Sequence, residues 1–349
     1  MSDQEKRDLP VAGFTPIDIF APPPVRLRPA RPFSAHRRYR LKPAPVQIPA
    51  AERKTMPGLP PAEEPDALFF FAAAGLWIVT WLFALLGRLI PQALEHPGRA
   101  SSFIYYILIL LLPVARRAMR SGAAAEKMRL RRPARGTGVF GLGMGLASAA
   151  AGMGLMSLWR YALTAMGAEL PAGLQVGPEA IPGLMITSAL LPAVCEEWFF
   201  RGYLLSAWED RRGWGCVPVT AVLFALIHSS VQGLPAQLAM GLVLGAVCVR
   251  SGSVFVPVLA HFGYNAGMLL FSGLWSGGWW ARDAALLFFG AAVALVFYGL
   301  ICRLSGGHEA NSPLGRSVGW EGAAALYAGV ATCVVALAAD ALRIFGVLG

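Results

Sequence analysis

The stretch Val194–Tyr203 reads VCEEWFFRGY and sets Glu196, Glu197 and Arg201 inside an apolar run from Ile181 to Trp208. A charge at bilayer depth costs about 3 kcal/mol even on lenient scales, so it marks a site unless a partner neutralises it. Glu197 and Arg201 are four residues apart, share a helical face and can pair. Glu196 points about 100° away from Glu197 and has no partner within the stretch. Read alone, the stretch also fits a structural ion pair with Glu196 at a hydrated edge. Two histidines add to it: His228 closes FALIH, and His261 opens HFGYN, where His261 and Asn265 are four apart on one face.

These side chains suit hydrolysis of an amide. A carboxylate shielded from bulk water can take a proton from a water molecule. A histidine can share that proton and pass it to the leaving amine. An amide and an imidazole can donate to the developing oxyanion. At ~1.5 Å per residue, Glu196, His228 and His261 lie about 18, 21 and 12 Å from the inner ends of their helices, compatible with one shared layer. One layer of polar side chains on three neighbouring helices implies an inward-facing, hydrated cavity.

The elements that must hold them are membrane helices. Of 349 residues, 56% are hydrophobic and only 14% charged, with a mean hydropathy of +0.54. That is too apolar for a soluble domain. The apolar runs are continuous and ~20 residues long rather than alternating, which speaks against a β-barrel. The expected fold is all-α, a polytopic bundle of eight or nine spans. Five cysteines lie in or beside the spans without a CxxC pair, so no disulfide framework is indicated. Cys195, beside Glu196, reads better as a small buried residue than as a nucleophile.

Residues 1–66 hold 14 of the 26 prolines and 11 of the 30 Lys and Arg, and read as a disordered, basic cytoplasmic tail. Its basic part, Arg26–Lys42, could lie against anionic head groups. Spans are expected at 67–90, 101–115, 138–158, 183–208, 214–230, 236–249, 253–274, 284–302 and 321–345. The second and sixth look short enough to be interfacial or tilted. Residues 67–180 form the first group of transmembrane helices, 181–272 the core that holds the motifs, and 273–349 the last group. The segment Arg116–Arg135 carries eight basic residues against one acidic. The positive-inside rule places it in the cytoplasm, with the N-terminal tail on the same side. No RNA- or DNA-binding motif accompanies the charge, so no nucleic-acid partner is expected. Asp340 and Arg343 are expected to pair near the outer end of the last span.

EE-x-x-x-R at Glu196–Arg201, F-x-x-x-H at Phe224–His228 and H-x-x-x-N at His261–Asn265, in order on separate helices, resemble the CPBP family of intramembrane proteases. That family includes the type II CAAX prenyl endopeptidases and the Abi proteins. The resemblance covers about residues 181–272. It implies a hydrolase, an endopeptidase acting near the C-terminus of membrane-associated protein or peptide substrates within the lipid bilayer. It also implies that Glu196 and His228 activate water, that His261 and Asn265 form the oxyanion hole, and that Glu197 and Arg201 support them. The Ala-, Arg-, Gly- and Pro-rich composition points to a GC-rich bacterium and its inner membrane. Bacteria generally lack CAAX prenylation, which leaves a prenylated substrate in doubt. The family's bacterial members are also linked to sorting-signal processing and bacteriocin self-immunity.

The expectation is catalysis with no metal and no cofactor. Zinc on Glu196, His228 and His261 is the alternative, although no HExxH is present. Two further readings stay open: a non-catalytic immunity or scaffold protein of the same fold, and a transporter with a midplane proton relay. A scaffold has no need of an unpaired Glu196, and a transporter would show broken helices in matching halves.

Overall fold

In the computed structural model the described residues are 64–89, 97–120, 128–171, 177–272, 279–306 and 320–347. The chain divides into Met1–Pro57 and Gly58–Gly349, and the described residues all belong to the second unit. The tail expected over 1–66 lies outside them up to residue 63; Glu64–Asp66 are already helical.

Nine helices are present among the described residues. They are α1 (Glu64–Leu89), α2 (97–120), α3 (Thr137–Ala165), α4 (181–212), α5 (Cys216–Ile227), α6 (Leu234–Ser251), α7 (Phe255–Ser272), α8 (Trp280–Leu304) and α9 (Trp320–Ile344). All described regular structure is helical, as the composition implies. Six helices are long and apolar enough to cross a membrane: α1, α3, α4, α6, α8 and α9. The apolar parts of α2, α5 and α7 are shorter, spanning Ser101–Arg116, Gly213–Ile227 and Phe255–Phe271. This differs from the sequence reading in three ways. The sixth expected span is a full-length helix. The fifth is short because α5 stops at Ile227 and the chain leaves it through Ser229, whose φ of 50° is left-handed. Helix α3 also runs seven residues past its expected end, because Trp159 and Arg160 are tied to loops there: they donate to the carbonyls of Val231 and Pro171.

Helices α2 and α4 change pitch. Tyr105–Leu111 in α2, and Met185–Leu190 and Trp198–Leu205 in α4, are wide-turned π-helix. The first two sit just before Pro113 and Pro192. A proline removes a backbone donor and its ring clashes with the carbonyl one turn earlier, and a wider turn relieves both. In the third, the Ser206 hydroxyl donates to the Arg201 carbonyl five residues back.

Close helix approach replaces hydrophobic association, which lipid cannot drive. A β-carbon on Gly145 of α3 would run into the Ala260 carbonyl of α7. One on Gly241 of α6 would stand 2.8 Å from the Ala221 Cα of α5. Among the described residues the two larger of three apolar clusters lie around the motif helices. One packs Phe199, Phe200, Leu204 and Leu205 of α4 against Phe69, Leu110 and Phe224. The other joins α3, α6, α7 and α8 through Met144, Leu244, Val256, Ala260 and Ile301. Helices α8 and α9 bury only 11% and 17% of their apolar windows, so their outer faces, with Phe288, Phe289 and Tyr327 exposed, are surfaces for lipid.

The two ends of the bundle are tied differently. At one end, Trp208 donates to Asp66 at 2.8 Å, and Arg129 bonds the Cys248 carbonyl at 2.9 Å and pairs with Glu209. Ser253 donates to the Arg131 carbonyl at 2.7 Å. At the other end, the Val231 N–H donates to Asp340, which also pairs with Arg343 at 2.8 Å as expected. Ser157 donates to Asp283 there.

Candidate active site

Helix α4 sets Glu196 and Glu197 at the junction of an α segment and a π segment. Glu197 and Arg201 are completely buried, and Glu196 and His261 nearly so, at 5% and 4% exposed. Ionisable groups out of water need partners, and three of these four are hydrogen-bonded in a chain, Arg201 to Glu197 to His261. Arg201 Nη1 donates to Glu197 Oε1 at 2.7 Å, the pair that the i,i+4 spacing implies. Arg201 Nη2 donates to the Gly241 carbonyl of α6 at 3.1 Å. The guanidinium carbon sits 4.5 Å from the Phe224 ring centroid, a favourable place for a desolvated cation.

Glu197 does a second thing that spacing did not disclose. Its Oε1 also accepts from His261 Nδ1 at 2.8 Å. A paired carboxylate accepts only, so Nδ1 carries the hydrogen and Nε2 points onward. Nε2 lies 4.0 Å from Glu196 Oε2. His228 is arranged in the same sense: its Nδ1 donates to the Phe224 carbonyl at 2.6 Å, and its Nε2 lies 3.9 Å from the same Glu196 oxygen. That oxygen is buried and accepts no hydrogen bond from the described residues. Phe224 is the hub of the cluster. Its ring meets those of Phe200, His228 and His261 at centroid distances of 5.3, 4.7 and 5.8 Å.

Glu196, His228 and His261 thus share one layer. Asn265 follows His261 by one helical turn and is half-buried. Glu196 and His228 open onto a cavity of about 160 Å³, and the other polar walls are Thr80 of α1 and Ser101, Ser102, Tyr105 and Tyr106 of α2. The Tyr106 phenol interacts with the Glu196 carboxylate. His261 and Asn265 are not among its lining residues. The tyrosines and serines were not singled out from the sequence. They lie outside the motifs, and a Tyr-Tyr pair in an apolar run has no distinctive spacing.

For a metal, the donors stand too far apart. Tetrahedral zinc with ligands at ~2.0–2.1 Å holds its donor atoms about 3.4 Å from one another. The Glu196–imidazole separations are 3.9 and 4.0 Å, and among the described residues no three His, Cys, Asp or Glu side chains converge on a metal position.

Comparison with known proteins bears on the same region. The chain is similar over 93 residues, at 25% identity, to the Bacillus subtilis protein named "Putative membrane peptidase YdiL", covering 26% of this chain and 38% of that protein. It is 34% identical over 94 residues to an Escherichia coli "Uncharacterized 24.3 kDa protein", covering 25% of this chain and 43% of that one. The chain therefore spans less than half the length of these curated relatives. No solved structure gives a match. The family described as "Type II CAAX prenyl endopeptidase Rce1-like" matches residues 178–267. Those residues include every motif side chain above, and they form an Rce1-like type II CAAX prenyl endopeptidase family domain.

Proposed function

We propose that this protein is an intramembrane endopeptidase of the inner membrane of a bacterium. It hydrolyses a peptide bond near the C-terminus of membrane-associated substrates, and all nine helices take part in the membrane bundle. The observation that carries this reading is the placement of one buried carboxylate oxygen, Glu196 Oε2, 3.9 and 4.0 Å from two imidazole nitrogens whose partner nitrogens are already tied. A water oxygen can hydrogen-bond both Glu196 and His228 across such a gap, with ~2.8 Å to each. Glu196 takes a proton from that water as its oxygen attacks the carbonyl carbon. His228 shares the proton and delivers it to the departing nitrogen as the C–N bond breaks.

The oxyanion falls to His261 and Asn265. His261 donates from Nε2 only when both its nitrogens carry hydrogens. Asn265, one helical turn on, offers its amide as the second donor. Glu197 and Arg201 act by fixing the imidazole. The experiment is substitution by an isostere: Glu196→Gln keeps the volume and removes the base. Loss of cleavage with an unchanged unfolding profile supports the role, and full activity in that variant refutes it.

A further inference from the structure

We propose that the cavity beside Glu196 and His228 is the store from which the hydrolytic water is drawn, and that Tyr105 of α2 is a positioning residue that orients this water. The positioning role rests on the endopeptidase reading. The water store does not.

The cavity has the size and the walls for water. Its volume of about 160 Å³ is well above the roughly 10–15 Å³ that one water molecule requires. Five hydroxyl side chains line it: Thr80, Ser101, Ser102, Tyr105 and Tyr106. A hydroxyl both donates and accepts, so such walls can hold linked waters. Glu196 and His228 line the cavity, and His261 and Asn265 do not. It therefore meets the site at the pair that activates water and not at the oxyanion groups.

Tyr105 stands out among these walls. It is only 6% exposed, and its hydroxyl has no hydrogen-bond partner among the described residues. Glu196 Oε2, on the same cavity, is in the same condition. A buried donor and a buried acceptor left unmatched are both costly, and water in a polar cavity satisfies each. Tyr106, the next residue, interacts with the Glu196 carboxylate itself, so the two phenols have different tasks. The wide-turned segment of α2 begins at Tyr105, and such turns are frequent at functional sites.

The chemistry needs a donor at this place. In neutral His228 the hydrogen on Nδ1, given to the Phe224 carbonyl, leaves Nε2 as an acceptor. A water between Glu196 and His228 then gives one hydrogen to each. Its two lone pairs remain, one for the carbonyl carbon and one to accept from a hydroxyl. A phenol that donates to the second lone pair fixes the direction of the first. Tyr105 keeps its own proton throughout. The water that is consumed is replaced from the store.

Two measurements test this. X-ray hydroxyl-radical footprinting of the full-length protein in detergent reports bound water, because the radicals form from waters beside the side chains they oxidise. Tyr203 is the control: it is 7% exposed and does not line the cavity. The expected result is oxidation of Tyr105 several-fold faster than of Tyr203. Equal rates mean a dry cavity and overturn the store. The second measurement is cleavage by Tyr105→Phe, which keeps the ring and removes the hydroxyl. The expected result is an unchanged unfolding midpoint and KM, with kcat lowered roughly tenfold, the size of one orienting hydrogen bond. A wild-type kcat overturns the positioning role. A raised KM with unchanged kcat gives the phenol to the substrate and overturns it as well. If the wild type cleaves nothing, the endopeptidase reading and the positioning role fall together, while the footprint still decides the store.

Discussion

Glu197 serves two partners with one oxygen, Arg201 and His261, and its substitution should show both roles. Glu197→Gln leaves the Arg201 charge buried without its counter-ion, a loss on the order of 3–5 kcal/mol. It also weakens the hold on the His261 ring, because a neutral amide oxygen accepts less strongly than a carboxylate. The expected outcome in detergent is a large drop in unfolding midpoint together with loss of activity. Adding Arg201→Met to Glu197→Gln should recover much of the stability, because a buried pair replaced by apolar groups is often near neutral. It should not recover activity, because the His261 ring stays weakly held. Thermal unfolding and cleavage, measured on the single and double variants, separate the two roles.

At the scale of the element, the site depends on how closely α7 approaches α3. Gly145→Val places side-chain atoms where the Ala260 carbonyl now stands. Overpacking of this kind costs about 1–3 kcal/mol, and here it pushes away the helix that carries His261. The variant should insert and fold with a lowered unfolding midpoint and a disproportionately low turnover, which parallel unfolding and turnover assays would show. This scale also explains what could be read in the sequence. Glu196, Glu197, Arg201, His228 and His261 stood out because ionisable groups are rare and costly in apolar runs. The i,i+4 spacing foretold the Glu197–Arg201 pair because both residues sit on one helix. Contacts between helices were hidden: Gly241 offering its carbonyl to Arg201, Glu197 reaching His261, and Tyr106 facing Glu196. No local pattern encodes them. The π-helical turns were also hidden, although Pro113 and Pro192 mark two of the three. The end of α5 was misjudged by three residues: the span was expected to run to 230, and the helix stops at Ile227, before the turn at Ser229.

At the scale of the whole molecule, the family match at 178–267 does not contain the whole cavity. Helices α1 and α2, outside that match, supply Leu76, Thr80, Ser101, Ser102, Tyr105, Tyr106 and Leu110 to its wall. Removing residues 1–120 should therefore abolish activity even if the remaining helices insert, and a cleavage assay on membranes carrying the truncated chain checks this. Chelation is a second test at this scale. The donor separations around Glu196 predict that dialysis of the purified protein against a strong chelator leaves activity unchanged. Activity lost on chelation and restored by zinc would mean that the side chains close around an ion. The most direct test of the central claim compares protein C-termini, by quantitative proteomics, between cells making wild type and cells making Glu196→Gln at equal levels. The account predicts a set of membrane-protein C-terminal fragments present with wild type and absent with Glu196→Gln. Identical fragment sets in the two strains would contradict it.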